Sequence, residues 1–391
     1  MSSPPHRHST GLVNVTLDHS LGAGGTTEAV TLLSRHMAGL GMGVTIVCAC
    51  AAPAEAPTSV QLHNVKPALL TRSWGWSKQL SITFQQLSSN HPDTVMHVHG
   101  VWGAPQWVAA RHAHARGIPF VLSDHGMLAP WFWNYKGTGQ LIKKTLYWRG
   151  MARPAFRHAS AVHAVTTRER DWLARLLPTG RFEVIPNAVD LTQINSSSTD
   201  ESTAQPHNME PFFLFVGRLD PQKGVDLLIS AFARARLASG FRLVVAGPSR
   251  SDRYREQLLR LARTSTRNRH IVFTGPVHGL EKWHLYRRAW AVIVPSRFES
   301  LGLVNLEAAA CNTPTITTHE TGLESWADNG GLLIRPNADD LRVALERAAN
   351  WSDRERRERG MSMRRLVEEQ YSWASIRAKW YALYESLVSA G

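Results

Sequence analysis

Cysteine is almost missing from this chain: Cys48, Cys50 and Cys311 are the three in 391 residues. So small a number excludes a disulfide framework, and no Cys-x-x-Cys spacing exists to build a zinc site. No charge-free apolar run approaches the roughly 18 residues that a membrane-spanning helix requires. The Ser/Pro/His-rich start, Met1 to Thr10, lacks the apolar stretch of a secretory leader. The reading expects a cytoplasmic protein in a reducing setting. Acidic residues are also scarce, 31 against 44 Lys and Arg, for a net charge of +13. The deficit lies mostly in the first half. Up to Pro186 there are 17 basic and 8 acidic residues, net +9; beyond it there are 27 and 23, net +4. A basic face of that size points to nucleic acid, an anionic membrane surface or phosphate-bearing substrates. The hydrophobic fraction, 43%, is ordinary for a folded protein and excludes a disordered or fibrous chain.

What the chain does contain is a repeated alternation of short β-branched runs and amphipathic segments. Residues 12–17 read as a strand, 21–25 as a glycine loop, and the stripe Val30, Leu33, Met37, Leu40 as a helix ended by Gly41. Residues 44–48 form the next strand, completing a βαβ unit of a parallel sheet. The pattern recurs at 95–99, 120–123, 161–165 and 182–185. Residues 194–210, with Asn-Ser-Ser-Ser-Thr-Asp-Glu-Ser-Thr, carry no apolar period. After them the alternation restarts, with strands at 212–216, 242–245, 271–273 and 291–294. Residues 373–388 form a last helix, capped by Ser372, with the stripe Ile376, Trp380, Leu383, Tyr384, Leu387. The expected organisation is an α/β domain over 1–190, a linker over 191–211, a second α/β domain over 212–371, and a terminal helix over 372–391.

Two regions carry chemistry. In Val292 to Ala310 a buried strand ends at Pro295, Glu299 follows in a loop, and a helix starts near Gly302 with Glu307 a turn and a half inside it. The exposed N–H groups of a helix start favour a phosphate, with a carboxylate on either side to grip other parts of one ligand. An exposed Glu and an ordinary helix Glu would look the same in isolation. In Phe213 to Asp226 a strand ends at Gly217, and Arg218 and Lys223 follow on a turn marked by Asp220-Pro221. Arg offers a bidentate fork and Lys a mobile point charge, together suited to a diphosphate. Two solvated cations on a surface turn are the plainer alternative.

Taken together the motifs resemble the retaining GT-B glycosyltransferases of family 4. The quoted matches are Gly217-Arg218-Leu219 with Lys223-Gly224, Phe273-Thr274-Gly275-Pro276-Val277, and Pro295-Ser296-Arg297-Phe298-Glu299 with Gly302-Leu303-Val304 and Glu307. Val184-Ile185-Pro186-Asn187 and Ser123-Asp124-His125-Gly126-Met127 add to them. The resemblance spans residues 11–388 and is looser in the first half. The sequence departs from the family pattern at Ser300-Leu301, Asn312 and Thr321-Gly322; these bear on donor identity rather than on activity. The resemblance implies two Rossmann-like domains facing a central cleft and transfer of a sugar from a nucleotide-diphosphate donor, of UDP or GDP type, with retention. It implies that Arg218 and Lys223 hold the diphosphate, Glu307 the ribose and Glu299 the donor sugar. Leu301, Gly302, Leu303 and Val304 would line sugar and phosphate, and Val277 would lie beside the base. In the first half Gly22, Gly24 and Gly25 would admit the phosphate to the backbone, and His125 would face the donor sugar. His99 and Trp102 are candidates for the acceptor side. His97 and His99 share a strand face, but no third ligand is spaced nearby, so no metal is expected. The lack of a DxD motif agrees with that, and no cofactor is called for.

One stretch calls for separate weighing. Trp131, Phe132, Trp133, Tyr135, Tyr147 and Trp148 alternate with Lys136, Lys143, Lys144, Arg149, Arg153 and Arg157. Such interleaving suits an anionic membrane surface, and equally a helix packed over a cleft with its cations solvated. Base stacking is disfavoured because no nucleic-acid motif accompanies it. The expected function is glycosyl transfer to a saccharide or lipid-linked acceptor in surface polysaccharide or lipopolysaccharide assembly, at the inner face of the membrane. A sugar-nucleotide epimerase of the same fold, needing no acceptor, and a non-catalytic sugar-binding or basic binding protein are the alternatives.

Overall fold

The computed structural model describes residues 10–20, 25–91, 93–134, 138–177, 180–196 and 210–389. The chain divides into two compact units, residues 1–187 with 376–391, and residues 188–375.

The first unit is built on seven parallel strands: β1 (Gly11–Thr16), β2 (Gly43–Cys48), β3 (Gln61–Asn64), β4 (Thr94–His99), β5 (Phe120–Ser123), β6 (Ala161–Ala164) and β7 (Phe182–Val184), in the order β3-β2-β1-β4-β5-β6-β7. β1, β4, β5 and β6 are buried along their whole length. Strands covered on both faces are expected to read as continuous apolar runs, and, apart from the terminal Thr16 and Thr94, these do except where Asn14, His97, His99, Ser123 and His163 interrupt them. All five lie within three residues of a strand's carboxyl end. Phe84, Phe120, Phe156, Leu122 and Val98 are among the side chains that fill the core. The terminal helix, Trp373–Val388, contributes to this unit from Ile376 on. Its Tyr384 and Trp380 pack on the His97 ring, and Thr10 donates to Glu385 at 2.7 Å.

The second unit has six parallel strands: β8 (Phe212–Val216), β9 (Arg242–Ala246), β10 (Ile271–Gly275), β11 (Ala291–Val294), β12 (Thr315–Thr318) and β13 (Leu332–Ile334), in the order β10-β9-β8-β11-β12-β13. Helices Val225–Arg234 and Ala338–Ala349 bury Leu228, Ile229, Phe232, Leu341 and Leu345 against it. A short helix, Leu191–Ser196, occupies the start of the segment expected to be a linker; residues 197–209 lie outside the described ones.

In each unit the strand order reverses direction beside its first strand, between β1 and β4 and between β8 and β11. Open α/β sheets bind ligands at the carboxyl ends of strands at such a switch point.

Candidate active site

In the second unit the loops after β8 and β11 meet at the switch point. Asp220 caps a single 3-10 turn, Pro221–Lys223, accepting from the Gln222 N–H at 2.9 Å. Gly224 follows in the left-handed region at φ 69, and a Cβ there would lie 2.2 Å from the Pro295 carbonyl oxygen. Only glycine lets the two loops approach so closely. They are then stitched together. The Arg297 N–H donates to the Gln222 carbonyl at 2.8 Å, and Gln222 Nε2 donates to the Phe298 carbonyl at 2.9 Å. Arg297 forks onto Asp226 at 2.7 and 2.9 Å. Burial pushes the Asp226 carboxyl up, but the hydrogen bonds and charge of Arg297 outweigh it and hold the group below its ordinary value.

The result is a set of charges held in place. Lys223 Nζ lies 3.1 Å from Glu299 Oε2, and Ser296 Oγ donates to Glu299 Oε1 at 2.5 Å. Glu299 is 9% exposed. Arg218, half-buried, makes no side-chain hydrogen bond or ion pair with the described residues. Glu307, 7% exposed, accepts from Lys282 at 2.9 Å and from the Tyr286 hydroxyl at 2.7 Å. Lys282 and Tyr286 come from helix Gly279–Arg288, which follows Val277, itself buried in the turn after β10. Helix Leu303–Ala310 starts with Gly302 as its cap. The Gly302 N–H donates to the Thr321 carbonyl at 2.9 Å and the Leu303 N–H to the Leu301 carbonyl at 3.0 Å. The N–H groups of Leu301 and Val304 make no hydrogen bond among the described residues. They are open donors at a positive helix end.

The first unit's switch point is built differently. His163 Nε2 is 2.7 Å from the Ile185 carbonyl, His163 Nδ1 is 2.6 Å from Ser123 Oγ, Ser123 Oγ is 2.7 Å from His97 Nε2, and His97 Nδ1 is 2.7 Å from the Tyr384 hydroxyl. A carbonyl only accepts, so every proton in this chain has one place. His163 donates through Nε2, Ser123 to His163, His97 to Ser123, and Tyr384 to His97. A second chain runs from Asn14. Its Nδ2 donates to Ser34 Oγ at 2.9 Å, leaving Oδ1 to accept from His99 Nε2 at 3.0 Å. His99 Nδ1 must then accept from His125 Nε2, at 3.0 Å. The neutral tautomer of His125 is thereby set, with its lone pair on Nδ1. Burial lowers all four rings, His125 to about 4 and His163 to about 3, and His97 and His99 well below the ordinary value.

His125 itself adopts φ 53, followed by Gly126 at φ 73. Left-handed backbone at a non-glycine residue is uncommon and costs energy. Asp124 braces it, accepting from the Leu128 N–H at 2.9 Å through Oδ2. Burial pushes the Asp124 carboxyl up, against the lowering effect of the Leu128 and Gly126 N–H groups. Glu169 Oε2 accepts from the Val165 N–H at 2.6 Å.

Several expected residues land elsewhere. His99 is 2% exposed with both ring nitrogens engaged, so it has none to offer an acceptor and instead orients His125. Trp102 packs into an aromatic cluster with Trp133 at 5.7 Å and Tyr147 at 5.8 Å, beneath Lys144. Gly22 and Gly24 lie outside the described residues. Gly25 opens helix Gly25–Ala38, and a Cβ on it would meet nothing within 4 Å. Sequence reasoning quoted Ser296 within its motif but gave it no role, and missed Lys282 and Tyr286, which show no motif of their own. It also missed His19, fully buried beyond the end of β1, with neither ring nitrogen hydrogen-bonded to the described residues.

Family models of the same type match both halves. Residues 23–193 match "Glycosyltransferase Family 4" and residues 197–360 match "Glycosyl transferases group 1". A D-inositol 3-phosphate glycosyltransferase of Frankia alni is 30% identical over 377 residues, covering 85% of this chain and 88% of that protein. Sucrose-phosphate synthase from Thermosynechococcus elongatus superposes with a TM-score of 0.80 at 21% identity, over 98% of this chain and 100% of the other. Anabaena HepE in complex with UDP-glucose does so with 0.72 at 14% identity, over 96% and 99%. The chain belongs to the family 4, group 1 glycosyltransferases, retaining enzymes of the GT-B fold that transfer a sugar from a nucleotide-sugar donor.

Proposed function

We propose that the chain transfers a hexosyl unit from a uridine or guanosine diphosphate sugar to a saccharide or lipid-linked saccharide, without a metal ion, in surface polysaccharide or lipopolysaccharide assembly. The observation that carries it is the Lys223–Glu299 pair at 3.1 Å beside Arg218, which has no side-chain partner among the described residues, at the switch point of the second unit. Arg218, Lys223 and the Leu301 and Val304 N–H groups neutralise the diphosphate as its bond to the anomeric carbon breaks, where preorganised donors act most strongly. The incoming diphosphate competes with Glu299 for Lys223 and releases that carboxylate to the sugar hydroxyls. Glu307 takes the ribose, Val277 lies beside the base, and His125 faces the sugar through Nδ1. The acceptor hydroxyl attacks from the face the diphosphate leaves, and a departing phosphate oxygen takes its proton. The UDP-glucose bound to the Anabaena neighbour supports a uridine donor. Thermal-shift measurements with UDP-, GDP- and ADP-sugars test this. One donor should raise the melting temperature of wild type and not of Lys223→Ala; no shift with any of them overturns the donor assignment.

The acceptor is read from this chain's own surface. No helix among the described residues is long and apolar enough to cross a membrane. Trp133, Tyr147 and Trp148 turn into the core, so these three rings serve packing rather than a lipid face. What helix Thr138–Tyr147 exposes is Ile142 and Leu146, 60% and 68% exposed and one turn apart, beside Lys143. That face supports peripheral docking on an anionic inner membrane surface and a lipid-linked acceptor. Ile142→Ser/Leu146→Ser should abolish flotation with anionic vesicles. Unchanged flotation removes the membrane reading and leaves the donor assignment standing.

A further inference from the structure

Behind the aromatic cluster of the first unit is a recess of about 410 Å³ lined by Trp133, Thr145, Trp148, Arg149, Arg153, Arg175 and Leu176. Its size falls within the range of small-molecule sites. Trp133 and Trp148 meet edge to face there, centroids 6.5 Å apart at 79°. Arg149 lies within a π-helical turn, Trp148–Ala152, and Arg153 caps it, its N–H reaching the Trp148 carbonyl. Such turns are rare and gather at functional sites. Arg175 comes from the last turn of helix Thr167–Leu176.

The three guanidinium groups are always charged, and none makes a side-chain hydrogen bond or ion pair with the described residues. The local sequence supplies no counter-charge: residues 131–177 hold nine Lys and Arg and only two acids, Glu169 and Asp171. Both are committed elsewhere, Asp171 to Arg170 at 2.8 Å and Glu169 to the Val165 N–H. All three are exposed and line one concave surface, where a multiply charged anion can meet them together.

We propose that this recess is an anion site for a phosphate-bearing group, a phosphomonoester or diphosphate, separate from the donor's diphosphate site in the second unit. Three forks match the several oxygens and multiple charge of phosphate better than a single carboxylate. The Thr145 hydroxyl adds a donor, and the two indoles and Leu176 provide an apolar floor for what the phosphate is attached to. The phosphate could arrive on a soluble sugar or on a lipid headgroup, and the chemistry of the recess is the same for both.

Fluorine NMR of the 5-fluorotryptophan-labelled chain reads the recess directly, with the Trp133 and Trp148 resonances assigned by replacing each in turn with Phe. Pyrophosphate should shift both resonances, and Arg149→Gln/Arg175→Gln should raise its dissociation constant at least about tenfold, as loss of two charged forks predicts. The melting temperature of that variant should match wild type, because neither side chain makes a hydrogen bond or ion pair with the described residues that could be lost. Vesicles of phosphatidic acid in phosphatidylcholine form the second arm. A shift with them but not with pyrophosphate assigns the site to a lipid headgroup, and a shift with pyrophosphate alone assigns it to a soluble phosphate. If neither probe moves the two resonances, or the shifts persist undiminished in the double variant, the proposal fails. Sugar transfer depends on Arg218 and Lys223 and not on this readout, so the two readings fail separately.

Discussion

At the ends of β4, β5 and β6 the first unit gathers four neutral histidines, a serine and a tyrosine in two hydrogen-bonded chains, one through His163, Ser123, His97 and Tyr384 and one through His99 and His125. At the ends of β8 and β11 the second gathers Arg218, Lys223 with Glu299, and Arg297 with Asp226. The sheet topology is alike, yet one site holds its polar groups uncharged and the other holds them ionised. Buried neutral groups need only hydrogen-bond partners, whereas buried charges need counter-charges as well. The first unit can therefore set a proton's position on His125, and the second can set an electric field where a diphosphate sits.

Acid should separate the two most strongly. His125 and His163 are lowered by burial to about 4 and about 3, and His97 and His99 lie well below the ordinary value. Their stabilising contribution is complete above the unfolded pKa near 6.5 and is lost as pH falls from there toward the folded values. Between pH 7.5 and 5.5 each costs about 1 kcal/mol. The four together cost about 4 kcal/mol, and Asp124, raised by burial, works the other way and reduces that loss. Asp226 is held low, so the second unit keeps its contribution until pH falls below the ordinary carboxylate range. Hydrogen exchange at the two pH values should show β4, β5 and β6 losing protection while β8, β11 and β12 keep it. Equal loss in both units would break the contrast.

The second unit's charges should show next, in turnover. Lys223→Ala and Arg218→Ala are each expected to slow transfer by two to three orders of magnitude, about 3–4 kcal/mol of transition-state stabilisation. Steady-state kinetics with the donor found by thermal shift checks this. A folded double variant of near wild-type activity would sink the diphosphate assignment.

The same contrast decides how much was legible beforehand. Charges at fixed spacing after a strand, Arg218 with Lys223 and Glu299 with Glu307, stand out in a sequence because few folds keep them together. The parallel α/β alternation was equally plain, and so was the terminal helix with Tyr384 on its stripe. The structure adds three strands. β3 and β13 are only four and three residues long. β12, Thr-Ile-Thr-Thr, looks polar, but its threonines are fully buried and pay for that with hydrogen bonds, Thr317 to the Val294 carbonyl and Thr318 to the Ser296 carbonyl. The histidine chains were hidden for a different reason. Their partners lie as far apart as His97 and Tyr384, and no local spacing announces a bond across 287 residues. Thus His99 read as an acceptor contact when its ring is spent inside the unit.

Removing one hydroxyl from each site should sharpen the difference at smaller scale. Tyr384→Phe leaves His97 Nδ1 buried without a donor. The ring cannot adapt by changing tautomer, because that would turn Ser123 and His163 around and aim a bare nitrogen at the Ile185 carbonyl. An unsatisfied buried acceptor costs about 1–3 kcal/mol. Tyr286→Phe also removes a donor, from Glu307, but Lys282 still holds that carboxylate at 2.9 Å. Urea unfolding should show the first variant losing more stability than the second; the reverse order would mean the histidine chain is not directional.

The smallest effect concerns binding alone. Glu307 is nearly buried and already holds Lys282 and Tyr286, so it is charged and oriented before any ligand arrives. Ribose hydroxyls reaching it would donate to an ionised acceptor, and such bonds are roughly twice as strong as neutral ones. Glu307→Gln keeps the shape and removes the charge. It should weaken the free nucleoside diphosphate by roughly tenfold, about 1.4 kcal/mol, with little change in turnover at saturating donor. Glu299→Gln should do the opposite if, as proposed, its carboxylate meets the diphosphate only through Lys223 and is released to the sugar. It should leave nucleoside diphosphate affinity near wild type and slow transfer. Calorimetry on the two variants separates these roles. If Glu307→Gln binds the nucleoside diphosphate as tightly as wild type, Glu307 serves to hold helix Gly279–Arg288 in place through Lys282 and Tyr286, and the ribose is held by other groups.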